Sequence, residues 1–387
     1  MIVFLLALGC FGLLTSTVFM GMVLAGARHY LRRMNGAGPV AAITPPLSLL
    51  KPLHGEEPGL EANLTTFFEQ DYPSFEILFC ARDAGDPGLA LARRVSARFP
   101  RVPASFFSTN ELRYINAKAQ SMELMAGAAS HAILVISDSD VRVTPDYLRA
   151  VAAPFRDAAV GGMTCLYRGV AAGGGLWARL EAVGMSVEMT AGVLVADMLE
   201  GMKFVLGPTM AFRTEAIRQM GGFAVTADYC ADDFVLGAEA YKLGWKVALS
   251  HHIIDHMVLN TSFVASIQHQ IRWMKSTRFS RPKGHFGTAL TFSMPFGILA
   301  AAAALALGAP WVAAALLAWS VLTRIAIAWA AGHLVAREPD WLSLILLYPV
   351  RDFMGFCFWA ASYASDRVHW RGRIFRLSAG GKMSAVE

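Results

Sequence analysis

The first 27 residues carry no charged side chain. A helix of that length crosses the hydrocarbon core of a bilayer, which needs about 20 apolar residues. A signal peptide would begin with a basic segment before a shorter apolar core, so residues 1–27 read as a retained transmembrane anchor. Arg28, Arg32 and Arg33 follow, which puts the next residues in the cytoplasm and the N-terminus outside. The chain as a whole is 55% apolar and only 16% charged, a departure from soluble composition. That excess collects in the anchor and again between residues 287 and 365. Much of the basic excess behind the net charge of +5 sits beside apolar segments, which suits anionic lipid headgroups. No basic and aromatic nucleic-acid motif is present. Cys10, Cys80, Cys165, Cys230 and Cys357 are dispersed and lack C-x-x-C spacing, so neither a disulfide framework nor a zinc site is indicated.

After a linker at residues 28–46, short strands alternate with helices: Leu47 to Leu53, a helix near Glu61 to Glu69, Phe75 to Cys80, a helix at residues 88–99, a strand at 104–107, and a helix near 116–125. This is βαβ alternation and predicts an α/β domain around a mainly parallel sheet. No G-x-G-x-x-G follows the first strand, which argues against a dinucleotide-binding domain. The next strand, Ala132-Ile-Leu-Val-Ile-Ser-Asp-Ser-Asp140, ends in two carboxylates one residue apart. Ligands of open α/β sheets gather at strand carboxyl ends. Strand alternation would place Asp138 and Asp140 on one face, where they could meet a hard cation, or a ribose and a cation; the bland reading is a solvated turn. Asp83, after the second long strand, either contacts a nucleoside or caps the following helix.

Residues 173–202 are apolar but interrupted by Arg179, Glu181, Glu188, Asp197 and Glu200. Those charges argue against a span and for either an amphipathic surface segment or a core helix. Residues 204–212 read as strand, turn and strand. Asp232 and Asp233 head a helical run, as dipole partners or with one of them a general base. Arg272, Lys275 and Arg278 recur every three residues, so they share roughly one helical face and could meet a diphosphate or, alternatively, lipid headgroups. His251, His252 and His256 invite a metal reading, although adjacent strand residues point oppositely.

In the membrane region, residues 286–365, spans are expected at 289–307 and 311–331, with Arg324 as an intramembrane charge facing a protein or watery interior. The third apolar stretch, 341–365, contains Arg351 and Asp352. The re-entrant or interfacial reading of this stretch is preferred over a span, because it keeps the basic tail, residues 366–387, cytoplasmic.

The order Asp83, Asp138-Ser-Asp140, Asp232-Asp233 and Arg272-Trp273 resembles the D, D, D, (Q/R)-x-x-R-W pattern of ceramide glucosyltransferases, inverting family 2-like enzymes with a GT-A fold. Ser48-Leu-Leu-Lys-Pro-Leu-His-Gly55, Phe67-Phe-Glu-Gln-Asp-Tyr-Pro73, Gly244-Trp245, Arg351-Asp352 and Trp370-Arg-Gly-Arg373 are similar to that family's landmarks. The resemblance implies a cytosolic GT-A domain at residues 47–285 in a multi-pass membrane protein. It implies that Asp83 contacts the uridine of a UDP-sugar and that Asp138 and Asp140 hold Mg²⁺ or Mn²⁺ against the diphosphate. Asp233 falls on the expected base, beside Asp232, which stands where glutamate is common. Arg272 and Trp273 end the last motif, and His269 stands where it usually has Gln or Arg. Lys118 and Arg272 could neutralise the leaving diphosphate.

The expected reaction is inverting transfer of glucose from UDP-glucose to ceramide or a ceramide-like lipid. The related bacterial hopanoid glycosyltransferases make N-acetylglucosaminyl transfer to a hopanoid the alternative. A processive polysaccharide synthase needs a larger membrane channel than these segments supply, and a non-catalytic lipid transporter leaves the ordered carboxylates without a purpose.

Overall fold

The computed structural model describes residues 1–36, 44–260, 262–370 and 373–386. Residues 37–43 of the expected linker, and the Arg371-Gly372 part of one landmark, lie outside the described residues. The chain forms two compact units. One comprises Met1–Met34, Arg168–Leu199 and Asn260–Gly380; the other comprises Asn35–Tyr167, Glu200–Leu259 and Gly381–Glu387.

The second unit holds the sheet. Strands β1 (Leu47–Pro52), β2 (Phe75–Ala81), β3 (Ala104–Ser108) and β4 (Ile133–Ser137) are joined by helices Leu60–Phe68, Pro87–Ser96 and Ala117–Ala128. β1 pairs in parallel with β2 and β4, and β2 with β3. The side chains of β1, β2 and β4 are almost all buried, as covering a parallel sheet on both faces requires, whereas none of the edge strand β3 is fully buried. Leu50, Leu78, Leu134, Ile136, Met122, Met125, Phe212 and Leu236 form the core beside them, each fully buried Leu or Ile stabilising the fold by about 1.5–3 kcal/mol.

Beyond β4 the expected parallel pattern fails. After β5 (Val141–Arg142) come β6 (Val160–Ala171), β7 (Thr209–Arg213) and β8 (Lys246–Val258), and the order across the eight-stranded sheet is β3-β2-β1-β4-β7-β6-β8-β5. β7 runs antiparallel to β4 and β6, and β5 antiparallel to β8, so the sheet is mixed. The Leu206–Thr209 bridge closes the Gly207-Pro208 turn, and the carbonyl of Pro208 accepts the N–H of Asp138 at 3.3 Å, so β7 begins at the carboxyl end of β4 and runs back along it. Only the second half of the expected strand-turn-strand, β7, is a strand.

In the first unit, helix Ile2–Gly36 extends well past the expected end of the anchor and includes Arg28, Arg32 and Arg33. Residues 175–200 are helical throughout, with a π-helical turn at Met185–Met189, and are long and apolar enough to cross a membrane. Three of their carboxylates have partners inside the unit. Glu181 accepts hydrogen bonds from Asn260 and Ser266, Glu188 pairs with Arg351 at 2.9 Å, and Asp197 pairs with Arg33 at 2.8 Å.

Pro310–Val335 and Trp341–Ala364 also have the length and apolarity to cross. Pro282–Thr291 and Met294–Ala306 meet at a 46° bend, while the stretch read as re-entrant or interfacial is helical without interruption over residues 341–364. Arg324 is buried and bonded to Asp352 at 2.8 Å, and Asp352 also accepts the backbone N–H groups of Ser293 and Met294. The tail forms a hairpin of β9 (Arg367–Trp370) and β10 (Arg373–Leu377).

Candidate active site

β4 ends at Ser137, so Asp138, Ser139 and Asp140 form a turn rather than the end of a strand. Strand alternation is therefore not what arranges the pair. Lys51, fully buried on β1, donates from Nζ to the carbonyl oxygen of Asp138 at 2.6 Å and lies 3.7 Å from the centre of the Phe67 ring. Burial pulls its pKa down to about 7, against the charges of Asp138, Asp140 and Glu57. Ser139 donates to Glu57 at 2.8 Å, and its carbonyl accepts from Asn63. The turn is thus held from beneath by Lys51 and from the side by Glu57 and Asn63.

The two carboxylates have different surroundings. Asp138 takes an ion pair from Lys118 at 2.7 Å, and Lys118 also lies 3.5 Å from Asp232. Lys118 is set in the first turn of its helix by Asn116, whose side chain caps the N–H groups of residues 118 and 119. Burial lowers the Lys118 pKa, but Asp138 and Asp232 outweigh it and hold the ammonium above its ordinary value. Asp140 bonds through Oδ2 to His256 on β8 at 3.0 Å. Burial opposes its ionisation, while His256 and Lys51 outweigh burial and hold it below the usual carboxylate range. Its Oδ1 is buried with no hydrogen-bond partner among the described residues, a hard oxygen fit for a divalent cation.

Asp233 heads helix Asp232–Lys242, where its Oδ1 accepts the N–H of Phe234 at 2.7 Å and its Oδ2 that of Gly207 at 2.8 Å. A Cβ at Gly207 would meet Oδ2 at 3.2 Å. Burial first, then the charge of Asp232, push Asp233 up to about 6 against those two donors. Asp232 is raised by burial and by Asp138, with Lys118 opposing. The loop before this helix is tied down on two sides. Asn116 donates to the carbonyl of Tyr229 at 2.9 Å, and Met383 donates its N–H to the carbonyl of Asp228 at 2.6 Å.

Asp83 is exposed in the loop after β2, and the capping alternative falls to Asp86, which accepts the N–H groups of Gly88 and Leu89. The histidines form no metal cluster: His256 serves Asp140, and His252 lies 3.8 Å from Asp146. Among the described residues no three His, Cys, Asp or Glu side chains converge to hold a metal.

His269, Arg272 and Trp273 lie on helix Phe263–Ser280 of the other unit. His269 Nδ1 is 2.6 Å from Glu181, and its ring is 4.7 Å from that of Trp273. Of the basic residues that share a helical face with Arg272, Lys275 donates to the carbonyl of Arg367 and Arg278 to that of Ser362. Sequence reasoning missed Lys51 and Glu57 as residues that shape the Asp138 turn, and read His256 as a candidate metal ligand rather than as the partner of Asp140. Lys51 alone carried a signal, a lysine inside an apolar strand where lysine is almost never buried without a partner.

The sequence profile described as "Glycosyl transferase family 21" matches residues 13–383. Ceramide glucosyltransferase 3 of Caenorhabditis elegans is 21% identical over 360 residues, covering 88% of this chain and 74% of the relative. A ceramide glucosyltransferase of Komagataella phaffii is 33% identical over 101 residues, 25% of this chain and 20% of the relative. Among solved structures, the mannosyltransferase PcManGT of Pyrobaculum calidifontis, in complex with GDP-Man and Mn²⁺, superimposes with a TM-score of 0.51 at 19% identity. It covers 90% of this chain and 99% of its own. The shared architecture is a GT-A-like mixed-sheet domain.

Proposed function

Because the chain belongs to glycosyl transferase family 21 and is a UDP-sugar-dependent hexosyltransferase, we propose that it moves glucose from UDP-glucose to a hydroxyl of ceramide or a ceramide-like lipid, with inversion at the anomeric carbon. It is a multi-pass membrane protein with a cytoplasmic catalytic domain, and a lipid alcohol kept in the bilayer is the acceptor such an enzyme would have at hand. The observation that carries the reading is Asp233, half-buried with a pKa near 6 and linked through Asp232 and Lys118 to the Asp138 turn.

In this reading Asp233 removes the acceptor hydroxyl proton as the oxygen bonds to the anomeric carbon. A pKa near 6 leaves the group ionised at neutral pH yet basic enough to take the proton as it is released. The bond from the anomeric carbon to the diphosphate oxygen breaks on the opposite face, and its electron pair leaves with UDP. Lys118 moves toward the diphosphate from its pairing with Asp138 and Asp232, and Arg272 adds a second fixed positive charge. Asp83 binds the uridine, and Asp232, His269 and Trp273 contribute further substrate contacts. Asp140 and Asp138 would hold Mg²⁺ or Mn²⁺, which supplies Lewis-acid neutralisation of the leaving charge when bound.

The test is to incubate the purified chain in detergent with UDP-glucose or UDP-N-acetylglucosamine, Mg²⁺ or Mn²⁺, and either ceramide or a hopanoid polyol. Glucosylated ceramide and released UDP are expected. A product only with the amino sugar and hopanoid moves the assignment to that pair, and no product with no UDP release removes the enzymatic reading.

A further inference from the structure

A buried tyrosine hydroxyl ordinarily finds a hydrogen-bond partner within the protein. In the unit that holds the sheet, Tyr72 donates to the carbonyl of Pro45 at 2.6 Å, and the Tyr147 hydroxyl lies 3.3 Å from that of Thr209. Tyr167, on β6 in the same unit, is only 4% exposed, yet its hydroxyl meets no partner among the described residues. Its ring stands edge-on to that of His256, with centroids 5.4 Å apart, and His256 holds Asp140 at 3.0 Å. Burial first, then the charges of Asp233 and Asp140, push the phenol above its ordinary pKa, so it stays protonated. The phenol thus senses both carboxylates and bonds to neither. The oxygens of Asp233 are taken by the N–H groups of Phe234 and Gly207, and Oδ2 of Asp140 by His256. Oδ1 of Asp140 is an open acceptor among the described residues, and the phenol does not reach it. A hydroxyl and a carboxylate oxygen that face one region without meeting leave room for a third polar group.

We propose that Tyr167 is a specificity-determining residue whose hydroxyl donates a hydrogen bond to a hydroxyl of the hexose on the UDP-sugar. This rests on the roles given above to Asp140 and Asp233. Asp140, through the cation it would hold, fixes the diphosphate, and Asp233 meets the oxygen that attacks the anomeric carbon. The hexose is the part of the UDP-sugar that lies between those two events. A phenol acted on by both carboxylates therefore stands beside the hexose rather than the uridine. A phenol also suits the place chemically. It offers a neutral O–H, where a lysine or arginine would pair with the carboxylates and a further acid would be repelled by them. A buried hydroxyl of this kind discriminates strongly, because a sugar lacking the matching oxygen leaves it unpaired.

The experiment uses the full-length chain in detergent with Mn²⁺, and measures binding of UDP and of UDP-glucose by calorimetry. Tyr167→Phe keeps the ring against His256 and removes only the hydroxyl. It is expected to weaken UDP-glucose by about three- to tenfold, the worth of one neutral hydrogen bond, and to change UDP, which has no hexose, by less than about twofold. The monodeoxy analogues of UDP-glucose remove the same bond from the other side. One of them is expected to bind the wild-type chain as weakly as UDP-glucose binds the variant, and to lose nothing further on the substitution. Equal weakening of UDP and UDP-glucose would make Tyr167 a packing residue and overturn the inference. So would unaltered UDP-glucose binding, which leaves the space to water, or an equal further loss for every analogue. If Tyr167→Phe does not fold, the wild-type chain decides, since monodeoxy analogues that all bind as UDP-glucose does also overturn the inference. A wild-type chain that binds neither UDP nor UDP-glucose overturns the proposed function instead.

Discussion

The backbone N–H of Gly207 donates to Oδ2 of Asp233 at 2.8 Å, and no side chain fits at residue 207 without crowding that oxygen. The hydrogen bond stabilises the ionised carboxylate, so lengthening it raises the pKa further above its present value of about 6. Gly207→Ala should therefore move the acid limb of the kcat/KM profile to higher pH. Activity at pH 6 is expected to fall by roughly three- to tenfold, the worth of about one hydrogen bond, with little change at pH 8. A pH profile of both proteins checks this.

Asp233→Asn removes the base while keeping the size of the side chain. Turnover should drop by about 10²- to 10⁴-fold, the usual contribution of a positioned general base. UDP affinity, measured by calorimetry, should stay within a few-fold of wild type. Retained turnover moves the role to Asp232.

Asp140→Ala deletes the carboxylate whose Oδ1 has no partner among the described residues, and His256→Ala leaves that carboxylate without its orienting imidazole. Both should raise the Mn²⁺ concentration needed for half-maximal UDP binding, the second by roughly 10- to 100-fold as for other residues that orient a ligand. Metal-independent binding of uridine should not change.

Lys118→Met removes the cation shared by Asp138 and Asp232, leaving two carboxylates with less compensation. Stability should fall by about 1–3 kcal/mol, a discounted figure for a pair that is not fully buried. Asp232 already has a raised pKa, and losing Lys118 raises it more. A carboxyl whose folded pKa exceeds its unfolded value loses stability as pH rises between the two. The deficit in thermal midpoint should thus be larger at pH 7.5 than at pH 5.

Met383→Pro deletes the N–H that donates to Asp228, four residues before Asp232. A drop in kcat of about fivefold at saturating donor is expected for one lost hydrogen bond, with Met383→Ala near wild type. Equal rates in the two variants would separate the Met383 contact from the base.

The first half of the sheet was readable because β1, β2 and β4 are apolar runs bounded by turn residues, a signal local to each strand. β6 was not readable. Gly161 lies under Trp245 and Gly162 under Phe212, contacts that exclude a Cβ, so the strand had to give up the branched residues by which strands are found. The acidic residues stood out through their order along the chain. Their partners did not, because His256 reaches Asp140 across 116 positions and Glu181 reaches His269 across 88, and no periodicity connects residues so far apart. Whether the carboxylates of residues 175–200 are internal was equally hard to read, since that depends on distant donors.

Those carboxylates impose an order of assembly. Asp197 finds Arg33 already synthesised, but Glu181 waits for residues 260–269 and Glu188 for Arg351. A lone carboxylate in an apolar surrounding costs about 2.5–3.5 kcal/mol on insertion scales. Emerging from the ribosome with two such debts, helix 175–200 gains its place only after the helices 263–280 and 341–361 exist. A helix made early in translation is therefore set late, and chains halted before Arg351 would hold it outside its final packing.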